Sequence, residues 1–370
     1  MALKNHVFRK GFRMNLIFSA IVRCVVGCNI GAPDGQTLHL LRCDTETGAM
    51  SLVQTVKGVQ GTNYFCLDKD FRNIYTYFGT VENGKKRGTI VRFPYENGTI
   101  GEMVKLVELP CETPCHISLS PDGSRLAFAC YGSATAGTVS VDGSGLAMVV
   151  HDNEGLGTDK KRQNKAHAHC AFFTPDGNKV GVVDLGKDSI LFYESDTMKP
   201  VPSMTIRTDP GDGPRHAVWS KDGKFLFVVN ELGNSVMGFA FDGMRFSRTG
   251  KWSTLPEGFT EWSKAAAIKL SKDGSVLMAS NRGYEKNSMA LYEVDQKSGT
   301  LTLRNVAPVD GIFPRDFEFT PDERFVIVGH KRSNETCMYR FDRSSFTLKP
   351  VGERVKMWNP LCFGFVACER

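Results

Sequence analysis

Apolar and β-branched residues run in short stretches along this chain, and each stretch is closed by a turn signal. Pro214 to Ser220 reads as one strand and Lys221-Asp222-Gly223 as the turn after it. KFLFVVN (224–230) is a second strand, SVMGFAF (235–241) a third, and a more polar fourth lies near Gly250 to Ser253. Runs of this length, bounded by Gly, Asp and Asn, predict antiparallel strands; helical periodicity is weak throughout.

The pattern repeats. A Ser/Thr-x-Asp-Gly-like tetrapeptide recurs with its aspartate at Asp70, Asp122, Asp176, Asp222, Asp273 and Asp322. A period of about fifty residues, each unit holding four strands, predicts propeller blades. Six turns are visible, and the termini supply a seventh blade. Asn359 to Phe365 resembles the opening strand of a unit, and Arg23 to Cys28 resembles the strand that should follow it. Pairing them closes the ring and removes two open sheet edges. The expected fold is therefore all-β: a seven-bladed propeller of four-stranded antiparallel blades over residues 22–370, preceded by an extension at 1–21. Asp152 to Asn164, long and polar, is expected to be an exposed loop on the rim.

Composition narrows the function. The net charge of +6 owes much to Lys4, Arg9, Lys10, Arg13 and Arg23, without which about +1 remains. A nucleic-acid surface on the propeller is a poor reading. The 11 cysteines contain no CxxC pair and sit mostly in apolar runs, which fits reduced, buried thiols and a cytoplasmic setting. The apolar run from Asn15 to Val22 is too short to span a membrane. The basic start keeps an organellar or exported alternative open.

The repeat also supplies an address for polar residues. The position seven residues before each turn aspartate opens the first strand of a unit, and the position nine after it ends the second. In a hairpin both lie at one end, and in a propeller that end faces one mouth of the central channel. The earlier position holds Asn63, Cys115, His169, Arg215, Ala266 and Arg315. The later holds Gly79, Tyr131, Leu185, Glu231, Arg282 and Lys331, with Asp184, Asn230, Asn281 and His330 one residue before the last four. Charges that could scatter over a surface converge on one mouth. Arginines and a lysine around a concavity make an anion site, and Glu231 and His169 supply proton-transfer groups. Such a set suits attack of water on a lactone carbonyl, with arginines steadying the oxyanion. No G-x-S-x-G elbow is present, which argues against a serine nucleophile.

These residues resemble a known family, the lactonase seven-bladed propellers, which include propeller-type bacterial 6-phosphogluconolactonases and fungal carboxymuconate-lactonizing enzymes. The likeness runs through Ala166-His167-Ala168-His169 and Asp184-Leu185-Gly186 in the third unit and Gly213-Pro214-Arg215-His216 and Val229-Asn230-Glu231-Leu232 in the fourth. It continues with Ala279-Ser280-Asn281-Arg282-Gly283 in the fifth and Phe313-Pro314-Arg315-Asp316 in the sixth. The resemblance implies catalytic roles for His169, Arg215, Glu231 and Arg282. Substrate contacts are expected at His167, Arg315, Lys331, Asn230 and Asn281. The basic extension and Lys331-Arg332 depart from the family pattern. The expected substrate is a small anionic sugar lactone, 6-phosphogluconolactone foremost, opened by water without a cofactor or metal and with no nucleic-acid or membrane partner.

Plainer readings stand beside these. Arg215 and Glu231 can be a structural ion pair. His167 and His169, two apart on a strand, share a face and can hold a divalent ion, though no third ligand is evident. Cys170 faces away from His169 and reads as core. A cycloisomerase that closes a muconate to its lactone and a non-catalytic interaction propeller are the competing functions.

Overall fold

In the computed structural model, which describes residues 21–29, 35–59, 61–82 and 84–366, Asp122, Asp176, Asp222, Asp273 and Asp322 are hydrogen-bond acceptors for their own hairpins, and in the first unit Asp68 takes that part instead of Asp70. Ser220 Oγ donates to Asp222 Oδ1 at 2.8 Å, and the Phe225 backbone N–H donates to Ser220 Oγ at 2.9 Å. The same side-chain bond recurs from Thr174 to Asp176, Ser271 to Asp273 and Thr320 to Asp322. Gly123, Gly177, Gly223 and Gly274 follow the aspartate at φ of 71–79°, a left-handed conformation that glycine adopts without steric cost. The repeated tetrapeptide thus encodes a repeated hairpin.

These hairpins extend into seven sheets. Blades two to six are four-stranded and span 116–150, 168–207, 214–253, 264–308 and 314–356. Blade one, 66–108, carries an added two-residue strand at Thr99–Ile100. Blade seven joins Ile21–Cys28, Leu38–Asp44 and Met50–Val56 to Pro360–Val366 from the other end of the chain. Cys24 pairs with Phe365 and Val26 with Phe363, so the ring closes as the repeat requires. Apart from Ile21, which starts a strand, the extension expected at 1–21 lies outside the described residues.

The core is divided among the gaps between blades. Seven apolar clusters fill them, as where Phe317 and Tyr339 of blade six pack with Met278 and Leu291 of blade five. The ten cysteines among the described residues are unbridged, and seven are buried. Cys170 belongs to the cluster between blades three and four.

First strands line the axis. His116 and His216, from blades that are not neighbours, have ring centroids 5.2 Å apart, and Tyr64 of blade one lies 4.3 Å from His116 and 5.6 Å from His216. These three occupy one tier, six residues before their turn aspartates, and Tyr64 and His216 line a pit at one mouth, with His116 packed against both.

Candidate active site at the channel mouth

A repeated irregularity aims side chains into this pit. In blade four Pro214 pairs with Asn230 and His216 with Val229, which leaves Arg215 as an extra residue. Blade three treats His169 the same way, between Ala168↔Asp184 and Cys170↔Val183, and blade six treats Arg315 so. A bulge turns its unpaired residue out of the regular alternation. The position seven residues before the turn aspartate is therefore special through the bulge as well as through its place at the strand end.

Glu231 is 2 % exposed and sits among guanidinium groups. Its Oε2 lies 2.9 Å from Arg282 Nη2 and 3.2 Å from Arg215 Nε, and its Oε1 lies 2.7 Å from Arg162 Nη1. Burial favours the protonated acid, but the surrounding guanidiniums outweigh it and hold the carboxyl well below the usual range. Arg215 Nε and Glu231 Oε2 meet at ion-pair distance without hydrogen-bond alignment. The arginines are fixed elsewhere: Arg215 Nη1 donates to the Ala266 carbonyl at 2.7 Å and Arg282 Nη2 to that of Ala265 at 2.8 Å. Blade five thus supplies the carbonyls that orient both.

Positive charge is in excess. Glu231 can neutralise only part of the charge on Arg162, Arg215, Arg282, Arg315 and Lys331, and the last two form no ion pair with a carboxylate among the described residues. Burial, then the charge of Arg315, lowers Arg215 to about 9. Burial and the neighbouring arginines bring Lys331 down to about 8. A pit of about 420 Å³, counted to its open mouth, is lined by Arg215, Arg315, Lys331, His216, Tyr64, Asn63, Asn29, Cys115 and Leu361.

Burial shifts the histidines at this mouth toward the neutral form. His169 is buried and its Nδ1 has no hydrogen-bond partner. Burial and then Arg215 push its pKa well down. His216 is shifted the same way, and burial takes His116 to about 3. His167 stacks on Tyr131, with centroids 4.0 Å apart, and its Nδ1 lies 3.0 Å from the Tyr131 carbonyl oxygen. His169 meets the same tyrosine edge-on at 5.5 Å.

The structure brings His169, Arg215, Glu231, Arg282, Arg315 and Lys331 together at one mouth. It stacks His167 on Tyr131, and neither of these two lines the pit. Asn230 and Asn281 are elsewhere: Asn230 Nδ2 donates to Ser235 Oγ at 3.0 Å and Asn281 Nδ2 to the Thr254 carbonyl at 2.6 Å. Both are buried supports behind the pit. Among the described residues no group of three or more His, Cys, Asp or Glu side chains is arranged to hold a metal ion.

Arg162 is the residue that the repeat could not find. It rides on the 152–164 stretch, which is more than an exposed rim. Gln163 is buried, and its Nε2 donates to Asp188 Oδ1 at 2.7 Å and to the Leu185 carbonyl at 2.9 Å. Asp159 Oδ1 accepts from the backbone of Lys161 and Arg162. The loop so braced carries Arg162 over the mouth, where its Nη2 is 3.3 Å from the Tyr131 hydroxyl.

Comparison with known proteins fits this geometry. The family model for the seven-bladed β-propeller lactonases matches residues 23–365. The chain belongs to the lactonase propeller family. Within that range of likeness, an uncharacterized protein of Staphylococcus saprophyticus is 30% identical over 341 residues, 90% of this chain and 96% of the relative. The 6-phosphogluconolactonase of Bacillus subtilis is 27% identical over 340 residues, 89% of this chain and 94% of its own. Among solved structures, the periplasmic gluconolactonase of Pseudomonas aeruginosa superposes with a TM-score of 0.83 at 27% identity, covering 94% of this chain and 99% of that one. No helix among the described residues is long and apolar enough to cross a membrane.

Proposed function

We propose that this lactonase-family enzyme opens a small anionic aldonolactone by direct attack of water, with 6-phosphogluconolactone the best-fitting substrate. The observation that carries the reading is the positive charge left over around the pit. Arg215, Arg315 and Lys331 face a concavity in which Glu231 offsets only part of the charge. An excess of guanidinium and ammonium groups, with Arg215 buried and Arg315 and Lys331 half-buried, is costly until an anion enters. Arg315 and Lys331 suit the phosphate, and Arg215 and Arg282, fixed by blade-five carbonyls, suit the oxyanion.

The proton belongs to His169 in this reading. Glu231 is held ionised by arginines and is a weak base, so its role is to orient Arg215 and Arg282. His169 is neutral, with a ring nitrogen unpaired. Burial, and then the charges of Arg215 and Arg315, keep it so. A bound phosphate offsets that charge and raises the basicity of His169 when substrate is present. Water then gives a proton to His169 as its oxygen bonds to the carbonyl carbon. Collapse of the oxyanion breaks the bond to the ring oxygen, which takes the proton back, and the product is the open hydroxy acid.

The test is hydrolysis of glucono-δ-lactone with and without a 6-phosphate by purified protein. A kcat/KM at least tenfold higher for the phosphorylated lactone is expected. Equal rates remove the phosphate assignment, and turnover of neither removes hydrolysis. Supplying a muconate in parallel detects lactone closure, the cycloisomerase outcome.

A further inference from the structure

Beyond the pit, the hairpin ends of blades five and six carry an aromatic cluster that the chemistry above does not use. Trp262 is 44 % and Tyr284 53 % exposed. Their ring centroids are 4.9 Å apart, and Phe313 lies 6.1 Å from Trp262 at an interplanar angle of 16°. Arg332 spans the group, its guanidinium carbon 4.4 Å from the Tyr284 centroid and 4.8 Å from that of Phe313.

This cluster is continuous with the pit. The Arg282 guanidinium carbon is 5.2 Å from the Phe313 centroid, and the Lys331 backbone N–H donates to the Phe313 carbonyl at 3.0 Å. The cluster is also built, not frayed. Phe313 is held at φ 70°, a left-handed conformation unfavourable for an aromatic residue. Asn287 Oδ1 holds the tip by accepting from Phe313 N at 3.0 Å and Gly283 N at 2.9 Å. A buried amide thus maintains the local backbone strain and keeps the rings fixed beside the pit.

We propose that Trp262, Tyr284, Phe313 and Arg332 form a stacking subsite for a second sugar ring, so that the enzyme also accepts aldonolactones carrying a glycosyl group. The inference rests on the hydrolytic reading of the pit. The chemistry of the patch selects the ligand. A sugar ring offers an apolar C–H face to an aromatic plane and hydroxyls at its edge. Exposed Trp262 supplies the plane, and the Tyr284 hydroxyl and the Arg332 guanidinium, 3.4 Å apart, supply edge partners. A purely apolar substituent would leave those polar groups without a role, and a lone phosphate would leave the rings without one.

The experiment compares cellobiono-δ-lactone with glucono-δ-lactone on the full-length protein, and cellobionate with gluconate in calorimetric binding. Wild type is expected to favour the disaccharide lactone by tenfold or more in kcat/KM, mainly through KM, and cellobionate over gluconate by a similar factor. Trp262→Ala and Tyr284→Ala should each remove most of that preference while leaving glucono-δ-lactone within twofold. Equal handling of both ligands by wild type, or a preference that survives both substitutions, overturns the subsite. If neither lactone is turned over, 6-phosphogluconolactone decides the hydrolytic reading separately, and the binding ratio still decides the subsite.

Discussion

Glu231 Oε2 stands 2.9 Å from Arg282 Nη2, and the two side chains, from adjacent blades, are both almost fully buried. An isolated buried carboxylate would be protonated, and an isolated buried arginine would be costly. Each makes the other tolerable, and Arg215 and Arg162 complete the arrangement. The pairing keeps guanidinium groups rigid beside the pit, where a substrate oxyanion can use them without reorganisation.

Glu231→Gln follows from that geometry. It removes the countercharge but keeps the shape, leaving Arg215 and Arg282 buried without a carboxylate. Breaking a buried pair from one side costs about 3–5 kcal/mol. Thermal denaturation should show a clear drop in Tm, largely restored by high concentrations of inorganic phosphate, which supplies charge from the pit. An unchanged Tm would mean that the ion pairs do not bear on stability.

Acid should destabilise the protein well above the carboxylate range. His116, His169 and His216 have folded pKa values depressed from an unfolded value of about 6.5. Below that value the unfolded chain binds protons that the folded one refuses, so stability falls as pH decreases from about 6.5. Glu231, also depressed, adds to the loss below about 4.5. Asp316, raised to about 6 by burial, works in the opposite sense, its contribution fading as pH rises through 6. Denaturant midpoints between pH 7 and pH 5 should decline, and the decline should weaken in His116→Phe. A flat profile would contradict the burial of three neutral imidazoles.

Phosphate recognition should be pH-dependent on the alkaline side. Lys331 titrates near 8, through burial and the charges of Arg315 and Arg282, so its ammonium is lost above that pH. KM for 6-phosphogluconolactone should rise between pH 7 and pH 9, with spontaneous hydrolysis subtracted. Lys331→Ala should raise KM tenfold or more at pH 7 and flatten the profile, with kcat little affected. A kcat loss at unchanged KM would place Lys331 at the reacting carbonyl instead.

Arg162 differs from Arg215 and Arg282 in being about one-third exposed and carried by a loop. Its loss should cost less than that of Arg282. Arg162→Ala is expected to lower kcat/KM several-fold, and Arg282→Ala by about 100-fold or more, the size of a lost oxyanion donor. Steady-state rates of the two variants side by side check the order, and a reversal would make the loop the principal contributor.

Much of this site could be read from the chain because the fold is periodic. The turn aspartates set a common register, and the strand at Arg23 to Cys28 sought a partner that only the C-terminus offered. Counting from those aspartates reached His169, Arg215, Glu231, Arg282, Arg315 and Lys331. Asn230 and Asn281 were harder, since their neighbours Glu231 and Arg282 belong to the mouth. One residue earlier, each pairs inside the sheet, opposite Pro214 and Ala265, and its amide serves the blade. Arg162 lay beyond reach because it sits in an insertion with no counterpart in other units, and its partner is far away in sequence. The bulges were also hidden, because no residue type marks them. The histidine tier was half visible: His216 stands beside Arg215 in Gly213-Pro214-Arg215-His216, but only the closed ring brings it to His116 and Tyr64.

The most direct measurement is single-turnover opening of 6-phosphogluconolactone by wild type and by His169→Gln, with the fold of each checked by thermal denaturation. General-base loss typically costs 10²–10⁴-fold. The rate constant should fall by about that factor in the variant, while 6-phosphogluconate still binds within a few-fold of wild type. A folded His169→Gln protein that opens the lactone at the wild-type rate would contradict the assignment of the proton to this pit.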